Sequence, residues 1–350
     1  MQGQQIFTSS NEDTRYAYAV GRIRALETRL LDRANIGRLL EAESASEALK
    51  TLSEGEYESS LSNISDPSDF ETALNAERER IYNLIDELSL DPELTRLFRI
   101  RWDFYNIKVL IKSSYLEERA AEDDDGVLVA SGLLPIETLR SAITPDDESG
   151  SVKLPEYIQL ALDDARAAYE EDQNPQMIDI VIDNHLQSFL YQCAAEYSSL
   201  FMCGYLEAFA DLTNIKSFIR LKVLDENVRM LDTVLIPHGR LDREIYVRQF
   251  DETVENFAGV LSNTPYTEVV AEGLRKWSEE HSLAAYERLA DNYLIDYIKP
   301  AKYIVFGVEP LIGYLMAKEH EMKLIRIILI GKLNDLPPDD IKERLRDTYA

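Results

Sequence analysis

Cysteine, proline and glycine are scarce in this chain: 2, 12 and 14 among 350 residues. Sheets joined by tight turns need more glycine and proline than that, so an all-β fold is disfavoured. Cys193 and Cys203 stand ten residues apart on what reads as one helix, pointing different ways, so they cannot easily bridge. Such a pair suits a reducing compartment, with both thiols serving as small buried apolar groups. Basic charge is also short: 37 Lys and Arg against 64 Asp and Glu leave a net charge of -27. That balance argues against a nucleic-acid partner, because phosphate binding needs a basic face. The same charge favours solubility and attracts basic partner surfaces.

Long apolar runs are missing as well. The most apolar segment, "FLYQCAAEYSSLFMCGYLEAFADL" from Phe189, carries Glu196, Glu207 and Asp211, so no span of a bilayer is expected. The opening "MQGQQIFTSSNEDTR" has neither a basic nor an apolar region and reads as a polar lead, residues 1–13, instead of a secretory signal. Histidines number four, and His185, His238, His281 and His320 show no metal-ligand spacing, so each reads as solvated or core. "ILIGKLND" holds a Gly-Lys pair but lacks the upstream glycine and the hydroxyl residue of a phosphate loop. No ATP site, metal or other cofactor is expected.

What is present is helical periodicity. Tyr16, Ala19, Val20, Ile23, Leu26 and Leu30 form one stripe on a first helix running through "YAYAVGRIRALETRLLD". Leu186, Phe189, Leu190, Cys193, Tyr197 and Leu200 form a second stripe, and Ile312, Leu315, Met316, Met322, Ile325 and Leu329 a third. Prolines fall where helices should begin: Pro67, Pro92, Pro135, Pro155 and the pair ending at Pro338. Proline suits a first turn, where its missing N–H costs nothing. No convincing alternating strand of five residues occurs, and the expected fold is all-α.

A period of about 107 residues runs through the chain. "DFYNIK" at Asp103 is answered by "DLTNIK" at Asp211, and "SGLLPIETL" around Gly132 by "PHGRLDREI" around Gly239. Lys323 in "EHEMKLIRIIL" stands another 107 beyond Lys216. Three helical units are therefore predicted, at residues 14–122, 123–229 and 230–350, each burying faces that one unit alone could not.

Basic residues gather at equivalent places in those units. Arg15, Arg22 and Arg29 recur every seven residues along the seam of the first helix. Arg101 and Lys108 accompany the first motif, Lys216 and Arg220 the second, Lys323 and Arg326 the third. Charge segregated in this way orients a partner. Arg15, Arg22, Arg29, Arg101, Lys108, Lys216 and Arg220 are the candidate partner contacts; the alternative is that each pairs with an acid of its own fold. Two acidic stretches, "EDDDG" at Glu122 and "LDDARAAYEED" at Leu162, invite comparison with Mg-diphosphate enzymes. The first reads as a linker, and the second lacks a third aspartate at helical spacing.

"YAYAVGRIRALETRLLD", "SASEALKTLSEGEY" and "RWDFYNIKVLIKSSYL" together resemble the C subunits of archaeal and bacterial A-type/V-type rotary ATPases, which are similar to the d subunit of the vacuolar enzyme. The likeness extends in register from Tyr16 to about Leu333. "ERAAEDDDGVLVAS" and "TPDDESGSVKLPEY" look like surface insertions within it. The resemblance implies a funnel of three pseudo-threefold helical domains with no active site of its own. It also implies one copy per complex, on the cytoplasmic face of the proteolipid ring, receiving the foot of the central stalk and transmitting torque. A generic helical-repeat adaptor is the rival reading, and a Mg-dependent all-α diphosphate enzyme the third.

Overall fold

The computed structural model describes residues 14–62, 64–115, 127–143, 153–280 and 282–350. The described residues are helices and connecting turns, with no strand among them, so the fold is all-α. In chain order come a 3-10 turn (Thr14–Tyr16), α1 (Ala17–Glu27), α2 (Arg33–Glu41), α3 (Ala45–Ser53), the single turn α4 (Glu58–Leu61) and α5 (Phe70–Leu88). Then follow α6 (Pro92–Tyr115), α7 (Ile136–Ile143), α8 (Glu156–Asp172), α9 (Pro175–Glu196), α10 (Leu200–Val223), the short α11 (Leu231–Val234) and α12 (Arg243–Arg248). The last group is α13 (Val254–Val260), α14 (Thr267–Glu280), α15 (Ala284–Ile298), α16 (Glu309–Leu333) and α17 (Pro338–Arg344).

Local chemistry sets these boundaries. Asp32, Ser44, Asn174, Ser199 and Thr253 each accept a backbone N–H from the first turn of the helix they precede. That satisfies one of the donors a helix start leaves orphaned. Pro67, Pro92, Pro175 and Pro338 stand in first turns, and α7 and α8 begin directly after Pro135 and Pro155.

Two of the expected helices differ from their sequence reading. The first is shorter: 3-10 geometry holds through Tyr16, and after Glu27 the amides of Arg29 and Leu30 fold back onto Leu26 and Glu27 in a turn. Arg29 is thus outside the helix, and the seam of three arginines is not one helical face. The stripe itself holds at Tyr16, Ala19, Val20, Ile23 and Leu30, all buried. The second stripe is broken by two serines. Ser198 takes a left-handed φ of 53°, and the Ser199 amide reaches back to the Ala194 carbonyl at 2.9 Å, closing α9. The buried face of α9 is Ile178, Ile182, Gln187, Leu190 and Ala194, while Tyr197 and Leu200 are exposed. The same break puts Cys193 and Cys203 on successive helices, half-buried and unbridged.

The helices group into two compact units. One is built from residues up to Pro92 together with those from Thr253 onward. Its centre is α16, buried along most of its length, including Ile312, Leu315, Met316, Met322, Ile325 and Leu329 as expected, with Ile330 and Leu333 exposed in its last turns. α2 and α3 lay Ile36, Leu39, Ala48, Leu49 and Leu52 against Met322, Leu324, Ile325, Ile328 and Leu329 of α16. The other unit spans Glu93–Glu252, with α9 packed between α8 and α10.

Within that second unit the repeated motifs form two alike joints. On α6, the Asp103 carboxylate accepts the amides of Leu133 at 3.2 Å and Leu134 at 3.0 Å, while Asn106 exchanges two hydrogen bonds with the backbone of Val129. On α10, Asp211 accepts the Leu241 amide at 2.9 Å and Asn214 exchanges two with Ile236. Each glycine presses on its aspartate. A β-carbon at Gly132 would stand 2.2 Å from Asp103 Oδ1, and one at Gly239 2.4 Å from Asp211 Oδ1. Only glycine lets the loop backbone come so close.

Candidate interaction residues and a buried ionic core

The candidate basic residues are distributed over both units. Arg15 lies exposed at the 3-10 turn, and Arg22 is exposed on α1 beside Tyr18. Arg22 makes no ion pair among the described residues. Arg29 pairs with Glu56 at 2.7 Å, an exposed contact of small energetic weight. On α6, half-buried Arg101 lays its guanidinium 5.0 Å from the centre of the Phe98 ring, and Lys108 pairs with Asp183 at 2.7 Å. On α10, Lys216 is half-buried and Arg220 exposed. The third motif's cations are likewise engaged: Lys323 with Asp291 at 2.6 Å and Arg326 with Glu71 at 2.6 Å.

A charged cluster that the sequence reading passed over lies inside the first unit. Lys318 of α16, almost wholly buried, sets its ammonium 2.7 Å from Glu321 and 3.2 Å from Glu77 of α5. It also sits 4.3 Å from the centre of the Tyr57 ring, whose hydroxyl donates to Glu321 at 2.8 Å. Glu77 in turn takes a forked contact from Arg80, which reaches on to Glu56. Burial alone would raise the Glu77 carboxyl, yet Arg80 and Lys318 together hold it below its ordinary value. Burial, reinforced by Glu321 and Glu77, pushes the Tyr57 hydroxyl well up. The signal in the sequence was a lysine and a glutamate three apart inside the apolar run "LIGYLMAKEHEMKLIRIIL". Residues of that kind must find partners where the helix is buried, as it is at Lys318 and Glu321.

Asp103 shows the other balance. Burial pushes its carboxyl up to about 6, against the lowering pull of the Leu134 and Leu133 amides. The described histidines stand apart: His185 pairs with Asp164 at 2.8 Å, His238 stacks on Tyr191 at 4.3 Å, and buried His320 donates to the Asp347 carbonyl at 2.7 Å. His281 and the "EDDDG" stretch lie outside the described residues. Asp163 and Asp164 are exposed on α8, engaged by Gln159 and His185. Among the described residues no three His, Cys, Asp or Glu side chains stand together as a metal ion requires. No described helix is long and apolar enough to cross a membrane.

The class defined by these features is an all-helical protein whose buried charges are engaged with one another inside the fold. Residues 19–344 match the family described as ATP synthase (C/AC39) subunit. The C subunit of the V-type sodium ATPase of Enterococcus hirae is 26% identical over 93% of this chain and 97% of its own length. The C subunit of the A-type ATP synthase of Methanocaldococcus jannaschii is 26% identical, covering 94% of this chain and 86% of its own. That of Methanothermobacter thermautotrophicus is 28% identical over 89% and 85%. The chain belongs to this family of rotary-ATPase C subunits. It is a structural and not a catalytic component of such a complex.

Proposed function

We propose that this chain is the central-rotor subunit that joins the central stalk to the membrane proteolipid ring and passes torque between them. It does so as one copy per complex on the cytoplasmic face. The observation that carries the reading is the in-register match from residue 19 to residue 344, shared with relatives named for both V-type and A-type machines. Sodium belongs to one relative's name, and the coupling ion of this complex lies with other subunits. The three units at 14–122, 123–229 and 230–350 are proposed as its stacked bodies, in the funnel that the family resemblance implies. Long helices fixed by buried ionic contacts suit a part that must resist twisting, since packed interiors have low compressibility.

Partner contacts are assigned to Arg15, Arg22, Arg29, Arg101, Lys108, Lys216 and Arg220. Exposed Arg22 is the strongest of these, and Lys108, already neutralised by Asp183, the weakest. Reversing Arg22 and Arg29 to glutamate should leave helicity by circular dichroism intact and weaken co-assembly with stalk and ring subunits on a sizing column. The weakening should grow as salt is lowered toward 50 mM or below, because like charges then repel over about 14 Å or more. Normal assembly of the doubly substituted chain at moderate salt removes the arginines from the interface. Failure of the wild-type chain to co-purify with ring and stalk subunits removes the rotor reading itself.

A further inference from the structure

The two aspartate joints share a construction that recurs, altered, in the other unit. In each, an acid on a long helix accepts the amide of a leucine two residues before a short helix: Leu134 before Ile136, Leu241 before Arg243. Glu321 on α16 does the same for Leu31, two residues before Arg33 of α2, at 2.5 Å. Eleven residues past the acid, a lysine caps the end of that short helix. Lys222 donates to the carbonyls of Gln249, Phe250 and Glu252 after α12, and Lys332 to those of Leu40 and Ala42 at the end of α2. α10 and α16 also finish alike, with Asp225 and Asp335 at φ 54° and 53° and an amide closing back over five residues. At the first joint Arg166 caps α7 instead, through the Ile143 carbonyl at 2.9 Å. The third copy therefore stands one helical turn beyond the register that Lys216 and Lys323 suggest.

The third joint differs in two places at once. Its acid is a glutamate, one methylene longer, and the residue two before its leucine is Arg29, where the others have Gly132 and Gly239. At the aspartate joints a β-carbon on that residue would collide with the carboxylate. We propose that acid length and loop residue are matched, and that this match makes the joint of residues 28–42 with α16 specific. A glutamate reaches the leucine amide from a loop held farther off, which leaves room for a side chain. An aspartate reaches it only when the loop carries glycine. A loop bearing Arg29 then does not seat on Asp103 or Asp211, and a glycine loop does not seat on Glu321. The need for such a device follows from chain distance. The aspartate joints close over 31 and 30 residues, whereas Leu31 finds Glu321 across 290. A segment that must return from so far among similar docking helices, its own or another copy's, requires an element that disfavours the wrong ones.

Hydrogen exchange of the full chain tests the match. Glu321→Asp should speed exchange of the Leu31 amide about tenfold or more, the loss of one charged hydrogen bond. Adding Arg29→Gly should restore most of the protection, while Arg29→Ala, which also deletes the Glu56 contact but keeps the β-carbon, should restore none. Equal effects of glycine and alanine, or no rescue by either, overturn the proposal. The converse arm uses the second joint: Gly239→Ala should deprotect the Leu241 amide, and Asp211→Glu added to it should recover part of the loss. Strictly additive damage there overturns the proposal even if Glu321→Asp fails to fold. Specificity has its own readout. The Arg29→Gly/Glu321→Asp chain, with three joints alike, should refold with a larger share of intertwined oligomers than the wild type, and an unchanged share overturns that part.

Discussion

Lys318 sets the stakes at the residue scale, because an ammonium buried beside two carboxylates is tolerable only while all three remain. Lys318→Met removes the cation and leaves Glu77 and Glu321 facing each other in the interior. Breaking a buried ionic contact from one side costs about 3–5 kcal/mol, so the urea midpoint should fall sharply. A change under about 1 kcal/mol, the scale of an exposed pair, would show that water reaches the cluster. His320 makes a prediction in pH. An unfolded histidine takes a proton near 6.5, but burial, only partly opposed by the bond to the Asp347 carbonyl, holds His320 down to about 4. Lys323, Arg346 and Asp291 surround it with both signs of charge. The folded chain thus binds fewer protons in that window. Its contribution is whole above pH 6.5 and is lost as pH falls toward 4, by up to about 3 kcal/mol. Asp103 runs the other way, since its raised value weakens the fold as pH climbs from 3.8 toward 6. His320→Gln should therefore flatten the difference in stability between pH 7 and pH 5 relative to the wild type, and an unchanged difference would refute the assignment. Neither partner set was legible beforehand. In the sequence His320 is singled out and Lys318 passed over, and which carboxylate or carbonyl lies opposite each is fixed by contacts 241 and 27 positions away.

Elements were legible where their punctuation is local. Prolines at 67, 92, 135, 155 and 338 and the apolar period located α1, α5 to α9, α16 and α17, because first-turn chemistry and a buried stripe act within a few residues. The serine pair at 198–199 defeated that reading: its turn interrupts an apolar pattern that runs straight through, and only backbone geometry reveals it. The matched motifs at Asp103 and Asp211 were visible as text, and their joints explain why aspartate, asparagine and glycine recur together. Helix glycines give a paired test. A β-carbon at Gly273 of α14 would lie 2.9 Å from the Tyr286 ring and 3.1 Å from that residue's backbone, so α14 and α15 approach only because it is absent. Gly273→Ala should cost about 1–3 kcal/mol through overpacking. Gly21→Ala on α1 meets nothing within 4 Å and should gain about 0.5–1 kcal/mol from helix propensity. Thermal midpoints moving in the same direction for both would contradict the packing described.

At the scale of the molecule, the chain divides unevenly. Residues 93–252 make one unit from a continuous stretch, while the other needs both flanks, up to residue 92 and from residue 253. An apolar cluster of the two-flank unit shows why. Ile36, Leu39, Ala48, Leu49, Leu52, Phe70 and Leu74 from one flank have as their other half Met322, Leu324, Ile325, Ile328, Leu329 and Ile341 from the other. Either flank alone would leave that surface in water, at roughly 25 cal/mol for each Å² left uncovered. The polar contacts divide along the same line, since Glu77 and Tyr57 meet Lys318 and Glu321 only when both flanks are present. A chain of residues 93–252 should accordingly give a cooperative thermal transition and dispersed amide signals. Residues 14–92 alone, or 253–350 alone, should give neither, and mixing the two fragments should restore both. If 14–92 folds by itself, the shared core does not govern the first unit. If 93–252 stays unfolded, its two aspartate joints do not suffice without the flanks that enter and leave it.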